Sequence, residues 1–271
     1  MVKVVVIGAA GRMGQSVIRA IVERKDIVCI GGVERKDHPL IGKDLGEILG
    51  IGELGARLWD SLDPLLEDVQ VLIEFTSPEA TLYHLELASS FKKPMVIGTT
   101  GFSQEQFERI KELTKNIPCV LSPNMSLGVN VLFKVVELVA NVLGKGYDIE
   151  IVEFHHRLKR DAPSGTALKL GQKIAAVLGL NLEEKAVFGR KGLTGIRSED
   201  EIGILSLRGG DVVGEHTVIF ATEGERLELT HKASSRMTFA KGAIRAALWV
   251  VGKPPGLYDM EDVLDLKKPL F

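Results

Sequence analysis

The densest group of residues able to do chemistry lies between positions 153 and 167. Five of the six residues from 155 to 160 can carry a positive charge, namely His155, His156, Arg157, Lys159 and Arg160. The run Pro-Ser-Gly-Thr at 163–166 then has the composition of a helix start. Free N–H groups at a helix N-terminus attract anions. Cations beside such a terminus predict a site for a small, multiply anionic molecule such as a dicarboxylate.

Three other interpretations compete for this segment. A solvated basic face would not explain the helix start at 163–166. A metal site on His155 and His156 is disfavoured, because adjacent residues of a strand point to opposite faces and no further ligand has a zinc-type spacing. A nucleic-acid site is disfavoured because no aromatic residues alternate with the cations, and 34 Lys and Arg face 36 Asp and Glu. We therefore expect neither a metal nor a nucleic-acid partner.

A second candidate site is the glycine-rich loop near the beginning of the chain. Gly8, Gly11 and Gly14 form a GxxGxxG pattern between an apolar run and a helical pattern. Small residues let the backbone turn tightly and approach a pyrophosphate, which the helix N-terminus then binds. Glu34 stands 20 positions after Gly14, where a carboxylate can meet the hydroxyls of an adenosine ribose. The pattern predicts a dinucleotide site rather than a structural turn.

The residue after Glu34 bears on the choice of cofactor. Arg35 has a guanidinium that can hold a 2′-phosphate through two hydrogen bonds. The Glu34-Arg35 pair therefore suggests that both NADH and NADPH are used. On the sequence alone, the alternative that Arg35 is a solvated loop charge stays open.

Two further segments follow apolar runs, at 98–101 and at 122–125. Ligands of open α/β sheets bind outside the carboxyl ends of the strands. Both segments are therefore predicted to lie at the nicotinamide half of the cofactor. Reduction by hydride also needs a proton, which a histidine can supply near neutral pH and a lysine can supply if its pKa is lowered. His155 and Lys159 are four residues apart and would share one side of an extended chain, so we predict that they deliver the proton.

Composition limits the remaining possibilities. A chain of 271 residues suggests about two domains. Cys29 and Cys119 lie in apolar runs without a CxxC partner, which predicts two reduced core thiols. The first apolar run is too short for a signal peptide, and no stretch approaches the roughly 20 apolar residues of a membrane span. We expect a soluble cytoplasmic protein.

The hydrophobic pattern changes near residue 124. Before it, predicted strands at 3–7, 27–33, 68–75, 94–97 and 119–121 are interleaved with helices at 13–23, 78–90 and 103–114. This alternation predicts an α/β unit with a Rossmann-type parallel sheet, and we assign 34–66 mostly to a surface insertion. After it, helices at 129–143 and 166–178 accompany strands at 148–156, 202–207, 215–222 and 226–231. This second block predicts a central α+β substrate domain with a mixed sheet, and a helix at 239–251 follows it.

The run HHxxKxDAPSGTA at 155–167 closely resembles the signature of dihydrodipicolinate reductases. Segments at 8–14, 75–80, 98–102, 124–130, 209–217 and 230–236 also resemble family segments, in the expected order. The resemblance spans nearly the whole chain. The HHxxKxDAPSGTA run is highly specific, whereas the glycine loop alone is not. Many members have a small residue and an aromatic around 122–125, so Met125 is a departure that affects the expected nicotinamide contact.

The resemblance implies reduction of 4-hydroxy-tetrahydrodipicolinate to tetrahydrodipicolinate, with NADH or NADPH, in the diaminopimelate route to lysine. It implies that His155 donates or accepts a proton, that Lys159 donates one, and that His156, Gly165 and Thr166 bind a substrate carboxylate. It assigns cofactor binding to Gly8, Ala9, Ala10, Gly11, Arg12, Met13, Glu34, Arg35, Gly98, Thr99, Thr100, Ser122, Pro123, Asn124 and Met125.

The same resemblance implies a domain organisation and an assembly. The C-terminal helix returns to the nucleotide domain, so we expect a dinucleotide-binding domain at 1–126 completed by 237–271. The substrate-binding and oligomerisation domain is expected at 127–236, with its sheets at the centre of a homotetramer. Two alternative functions stay open, namely a reductase of another small carboxylate and a non-catalytic dinucleotide-binding regulator.

Overall fold

The computed structural model describes residues 1–268, which form two compact units. The first unit comprises Met1–Leu127 and the chain from Arg236 onward, and the second comprises Gly128–Ser235. The predicted boundaries differ from these by one residue at each junction. The last three residues of the predicted segment 237–271 lie outside the described residues.

The first unit is built on a seven-stranded parallel sheet. Its strands are β1 (Val2–Ile7), β2 (Ile27–Val33), β3 (Arg57–Trp59), β4 (Val71–Glu74), β5 (Met95–Ile97), β6 (Pro118–Leu121) and β12 (Gly256–Tyr258). They lie in the order β12-β6-β5-β4-β1-β2-β3. The helices are α1 (Arg12–Val22), α2 (Leu45–Leu49), α3 (Pro78–Ser90), α4 (Gln104–Leu113), α8 (Met237–Val250) and α9 (Met260–Val263). The predicted Rossmann-type parallel sheet is confirmed.

Strand β1 shows why this sheet lies at the centre of its unit. Val4 and Val6 pack into the core on the side of α1 and α8, while Val5 and Ile7 pack into the core on the other side. All four side chains are buried, because successive residues of a strand point to opposite faces and helices cover both. Burial on both faces therefore explains why β-branched residues follow one another without interruption in β1.

The prediction for residues 34–66 is wrong in part. This segment contains α2, a short 3-10 helix at Asp63–Leu65 and β3, which extends the parallel sheet at its edge. Six of its eight leucines, including Leu45 and Leu58, are buried in the core. The carboxylate of Asp44 accepts hydrogen bonds from four backbone N–H groups, those of Gly46, Glu47, Leu54 and Ala56. The Asp44 side chain thus stabilises regular structure in a segment whose glycine-rich sequence does not predict it.

The second unit contains a five-stranded mixed sheet. Its strands are β7 (Asp148–His155), β8 (Ala186–Val187), β9 (Ile202–Arg208), β10 (Gly214–Thr222) and β11 (Glu225–Ala233), in the order β11-β10-β7-β9-β8. Strand β10 is antiparallel to β7 and β11, whereas β9 is parallel to β7 and β8. Helices α5 (Leu127–Leu143) and α6 (Gly165–Leu178) pack on one face, and α7 (Leu182–Lys185) precedes β8. The predicted mixed sheet is confirmed.

The prediction that no stretch approaches a membrane span is wrong for helix α5. With the turn that follows it, Leu127–Gly146 is long and apolar enough by length and composition to cross a membrane. The core helix of a soluble domain passes the same test. Phe133 and Val136 of α5 pack against the five-stranded sheet, and Glu137 pairs with Lys173 of α6 at 2.6 Å. These contacts explain the apolar composition of α5, which is that of a core helix.

The two cysteines are free and buried, as predicted. Burial raises the pKa of the Cys29 thiol to about 12 and also raises the pKa of Cys119. Both thiols are therefore protonated near neutral pH and act as small apolar side chains.

Candidate active site

The loop between β1 and α1 has the backbone that a dinucleotide needs. Gly8 has a positive φ of 77°, and a Cβ there would lie 2.5 Å from the carbonyl oxygen of Phe75. A Cβ at Gly14 would lie 2.2 Å from the carbonyl oxygen of Gly8. Gly11 precedes α1 and has no side chain to cap it, so the first N–H groups of the helix stay available to an anion. These residues fit a pyrophosphate bound through the backbone.

The predicted ribose-binding pair follows β2. Glu34 is half-buried, and its N–H donates to the carbonyl oxygen of Trp59 in β3 at 2.9 Å. Arg35 is exposed, and its N–H donates to the Glu34 carboxylate at 3.2 Å. Because β1 and β2 are parallel, Glu34 lies at the same edge of the sheet as the glycine loop. The other predicted members of that loop, Ala9, Ala10, Arg12 and Met13, connect β1 to α1 or begin α1.

The segments predicted to meet the nicotinamide follow β5 and β6, at the same carboxyl edge. Gly98 lies against the ring of Phe75, where a Cβ would be 2.0 Å from the nearest ring atom. Thr99 is buried, and its Oγ1 accepts hydrogen bonds from the Thr76 N–H at 3.1 Å and the Thr81 hydroxyl at 2.9 Å. Only Thr100 of this turn exposes its side chain freely.

The segment 122–125 is held by its own hydrogen bonds. The Ser122 hydroxyl donates to the carbonyl oxygen of Asn124 at 2.9 Å, and the N–H of Ser126 donates to the Asn124 side chain at 2.9 Å. The side chain of Met125 is 2% exposed and belongs to the core. The Met125 side chain packs in the core of the first unit, and the expected effect of its softness on the nicotinamide contact stays a prediction. Pro123 is exposed between these residues.

Sequence reasoning missed a buried carboxylate at the end of β4. Glu74 is fully buried, accepts a hydrogen bond from the Thr76 hydroxyl and lies 2.9 Å from Nδ1 of His84. Through Thr76 it connects to the Thr99 hydroxyl. The available signal was a carboxylate between the apolar residues 71–73 and Phe75 of a predicted strand, because buried charge needs compensating partners.

In the second unit, the predicted proton carriers flank the end of β7. His155 is the last residue of that strand, and the N–H of Lys159 donates back to the carbonyl oxygen of His156 at 3.1 Å. The chain therefore turns after His155, and the argument that His155 and Lys159 share one side of an extended chain is wrong. The Lys159 amine instead binds both carboxylate oxygens of Asp161, at 2.9 and 2.8 Å. Asp161 thus compensates part of the predicted positive charge.

The residues predicted to bind a substrate carboxylate lie around this turn and at the start of α6. The N–H of His156 donates to the carbonyl oxygen of Val212 at 2.7 Å. Gly165 is the first residue of α6 and is exposed, with open space where a side chain would be, while Thr166 is buried. Ser164 caps the helix by accepting a hydrogen bond from the N–H of Ala167 at 3.1 Å. The capped helix start lies in the same unit as His155 and Lys159, the predicted proton carriers.

His216 is a further residue that the sequence did not single out. It is 3% exposed, and burial, assisted by the nearby His155, lowers its pKa to about 3. A neutral imidazole has one donor and one acceptor nitrogen, and Nε2 of His216 lies at hydrogen-bond distance, 2.9 Å, from the Ser164 hydroxyl. The rings of His155 and His216 meet edge to face, with centroids 5.1 Å apart. His216 therefore supports both the helix cap and the position of His155.

Comparison with known proteins covers both units. The family description "Dihydrodipicolinate reductase, N-terminus" matches residues 2–125, and "Dihydrodipicolinate reductase, C-terminus" matches residues 128–264. The 4-hydroxy-tetrahydrodipicolinate reductase of Syntrophus aciditrophicus is 54% identical over 267 residues, covering 98% of this chain and all of that protein. The corresponding reductase of Syntrophobacter fumaroxidans is 53% identical with the same coverage.

A solved structure shows the same fold. The dipicolinate-bound dihydrodipicolinate reductase from Paenisporosarcina sp. TG-14 superposes with a TM-score of 0.74 at 27% sequence identity. The match covers 96% of this chain and 97% of that one.

Proposed function

The chain belongs to the dihydrodipicolinate reductase family, and on that premise we propose that it reduces 4-hydroxy-tetrahydrodipicolinate with NADH or NADPH. The family, the enzyme class and the nicotinamide cofactor agree with what the sequence predicts, and these predictions are confirmed. The observation that carries the proposal is the cluster in the second unit. There His155 contacts a buried carboxylate, close in sequence to Lys159 and to the capped start of α6.

The proposed reaction adds one hydride and one proton to the substrate and removes one water, giving tetrahydrodipicolinate. When bound, the nicotinamide cofactor supplies the hydride. His155 and Lys159 exchange the protons, because an imidazole and an amine can both do so in a polar site. His156 and the backbone of Gly165 and Thr166 bind one substrate carboxylate, which the N-terminal end of α6 favours.

The direct test is a coupled assay in which the preceding synthase of the pathway generates the substrate in situ. We expect loss of NADPH or NADH absorbance that depends on both the synthase and this protein. Tight cofactor binding without any absorbance loss would instead favour a non-catalytic regulator. Faster turnover of an amino-acid semialdehyde or a 2-oxo acid would favour a reductase of another small carboxylate.

Arg35 should determine the affinity for NADPH but not for NADH. An exposed guanidinium beside Glu34 can bind a 2′-phosphate, and hydrogen bonds to charged groups contribute about 1.5–3 kcal/mol. We expect Arg35→Ala to raise the KM for NADPH by about tenfold or more while the KM for NADH stays within about twofold. Steady-state kinetics with each cofactor measures both values.

The neighbouring cation provides the control for this prediction. Lys36 is also exposed, so Lys36→Ala removes an equal charge one position further along. It should change neither KM by more than about twofold, as expected for a screened surface charge. If Arg35→Ala left the KM for NADPH unchanged, Arg35 would be a solvated loop charge.

We also propose that the protein is a cytoplasmic homotetramer that associates through the five-stranded sheet. Helices α5 and α6 cover one face of this sheet, while Val152, Phe154 and Leu205 lie on the other and are only half-buried. A face of this kind suits contact with another copy of the chain. Light scattering should give four times the mass of one chain, and a monomer at micromolar concentration would contradict the assembly.

A further inference from the structure

The strand register of the second unit places its polar residues in two adjacent rows. Across β9, β7, β10 and β11, one row contains Ser206, Glu153, His216 and His231. In the next row, Arg208 of β9 pairs with His155 of β7, and Gly214 of β10 pairs with Ala233 of β11. Both rows lie on the face that α5 and α6 cover further along, where Ile149 and Ile151 of β7 join the apolar core. A carboxylate on this face needs compensation, because an unpaired buried charge is strongly unfavourable.

Glu153 has that compensation. It is 0% exposed, and its two oxygens receive hydrogen bonds from both terminal nitrogens of Arg208, at 2.7 and 2.8 Å. The N–H of Ser164 donates to it at 3.1 Å, and Nδ1 of His155 lies 2.5 Å away. Burial alone would raise the pKa of Glu153, but the hydrogen bonds from His155 and Arg208 outweigh burial and hold that pKa well below its usual range. Glu153 is therefore a carboxylate at neutral pH.

A carboxylate at this distance determines which nitrogen of His155 carries the proton. Glu153 can only accept, so Nδ1 must donate, and Nε2 remains the nitrogen that exchanges a proton with a substrate. Gly214 lies beside that nitrogen, since a Cβ at Gly214 would be 3.0 Å from Nε2. The absence of a side chain at this position leaves space next to the reactive side of the ring.

Arg208 connects both proton carriers. Besides binding Glu153, its guanidinium donates to the backbone carbonyl oxygen of Asp161 at 2.6 Å. The side chain of Asp161 holds the amine of Lys159. One guanidinium thus compensates the carboxylate behind His155 and anchors the residue that positions Lys159.

We propose that Glu153 and Arg208 form a positioning pair for the proton-transfer residues. Glu153 keeps the proton of His155 on Nδ1, so that Nε2 faces the substrate, and Arg208 keeps Glu153 ionised and holds the turn that carries Lys159. Neither residue is proposed to touch the substrate. The kinetic consequence of this pair rests on the proposed function, whereas its effect on the imidazole does not.

The test is Glu153→Gln in the full-length chain, because glutamine preserves the shape but removes the obligate acceptor. Long-range 1H–15N correlation spectra of the histidine rings report which nitrogen carries the proton. In the native protein we expect the Nδ1–H form of His155, and in the variant a shift toward the Nε2–H form. We also expect kcat to fall about 10²-fold, as for a disturbed general acid or base, while the KM for the substrate and NADPH binding change less than about threefold.

Glu150→Gln is the matched control, because Glu150 also lies on β7 and also pairs with arginines. Its partners are Arg190 and Arg197, away from His155. This variant should retain both the His155 spectrum and kcat. Circular dichroism of both variants separates loss of folding from loss of proton transfer.

Three outcomes would overturn the positioning role. The first is a native spectrum showing the Nε2–H form of His155, which needs no variant and so decides the matter even if Glu153→Gln does not fold. The second is an unchanged kcat in a folded Glu153→Gln protein. The third is a fall in kcat with no change at the His155 ring, which would indicate a purely structural effect. Failure of the native protein to turn over substrate would contradict the proposed function but leave the spectral test intact.

Discussion

His155→Gln and Lys159→Ala should each lower kcat by about 10²–10⁴-fold, the range that positioned acids and bases contribute to catalysis. Glutamine keeps much of the size of the imidazole but cannot exchange a proton near neutral pH. Alanine at position 159 removes the amine that Asp161 holds. The measurement is kcat in the coupled assay, together with a fluorescence titration of NADPH.

The fold should survive both substitutions. The carboxylate of Asp161 is 61% exposed, so losing its lysine costs no more than the roughly 0–1 kcal/mol of a surface ion pair. NADPH binding should be unchanged, because the glycine loop belongs to the other unit. Lys191→Ala, which removes an exposed lysine from the loop before β9, serves as the control and should retain full activity. Near-normal turnover in both His155→Gln and Lys159→Ala would refute the assigned roles.

Gly14→Ala is expected to weaken both the first unit and its affinity for NADPH. The added Cβ would lie 2.2 Å from the carbonyl oxygen of Gly8 and 2.7 Å from Cα of Ala9. Both are backbone atoms, which cannot rotate away as a side chain could, so α1 must move relative to β1. Overpacking of this kind costs about 1–3 kcal/mol, and the same shift displaces the N–H groups that are proposed to bind the pyrophosphate. We expect the Kd for NADPH to rise by at least about tenfold, corresponding to 1.4 kcal/mol.

Urea denaturation and NADPH titration measure these two effects separately. Gly146→Ala is the control, because no atom lies within 4 Å of a Cβ at Gly146 and the backbone there does not have a positive φ. It should change neither the unfolding free energy nor the Kd by a comparable amount. If Gly14→Ala bound NADPH as tightly as the native chain, the close approach of α1 to the loop would not be needed for cofactor binding.

Features with a local cause were predicted well from the sequence. The bounds of β2 and α3 agree residue for residue with the predicted 27–33 and 78–90, because hydrophobic period, Ser77 and Pro78 all act within a few residues. The family was also identified from sequence, since its specific run at 155–167 is contiguous.

Local signals failed where regular structure depended on distant partners. Strand β3 is only three residues long and is stabilised by its place beside β2, and β12 is held in the same way beside β6. Neither has enough apolar alternation to be recognised alone. Helix α5 has a strong apolar signal that is ambiguous, because an apolar composition by itself does not distinguish a core helix from a membrane span.

The sequence alone determined the predicted cofactor loop, the His155–Lys159 pair and the helix start at 163–166, because each is a property of neighbouring residues. Glu153 was within reach of the same reasoning, since a strand period of two places it on the same face as His155. Arg208, Gly214 and His216 were not, because they reach His155 only through the pairing of β9 and β10 with β7. Strand register depends on packing and loop geometry across many residues, so only the tertiary structure decided what surrounds the His155 imidazole.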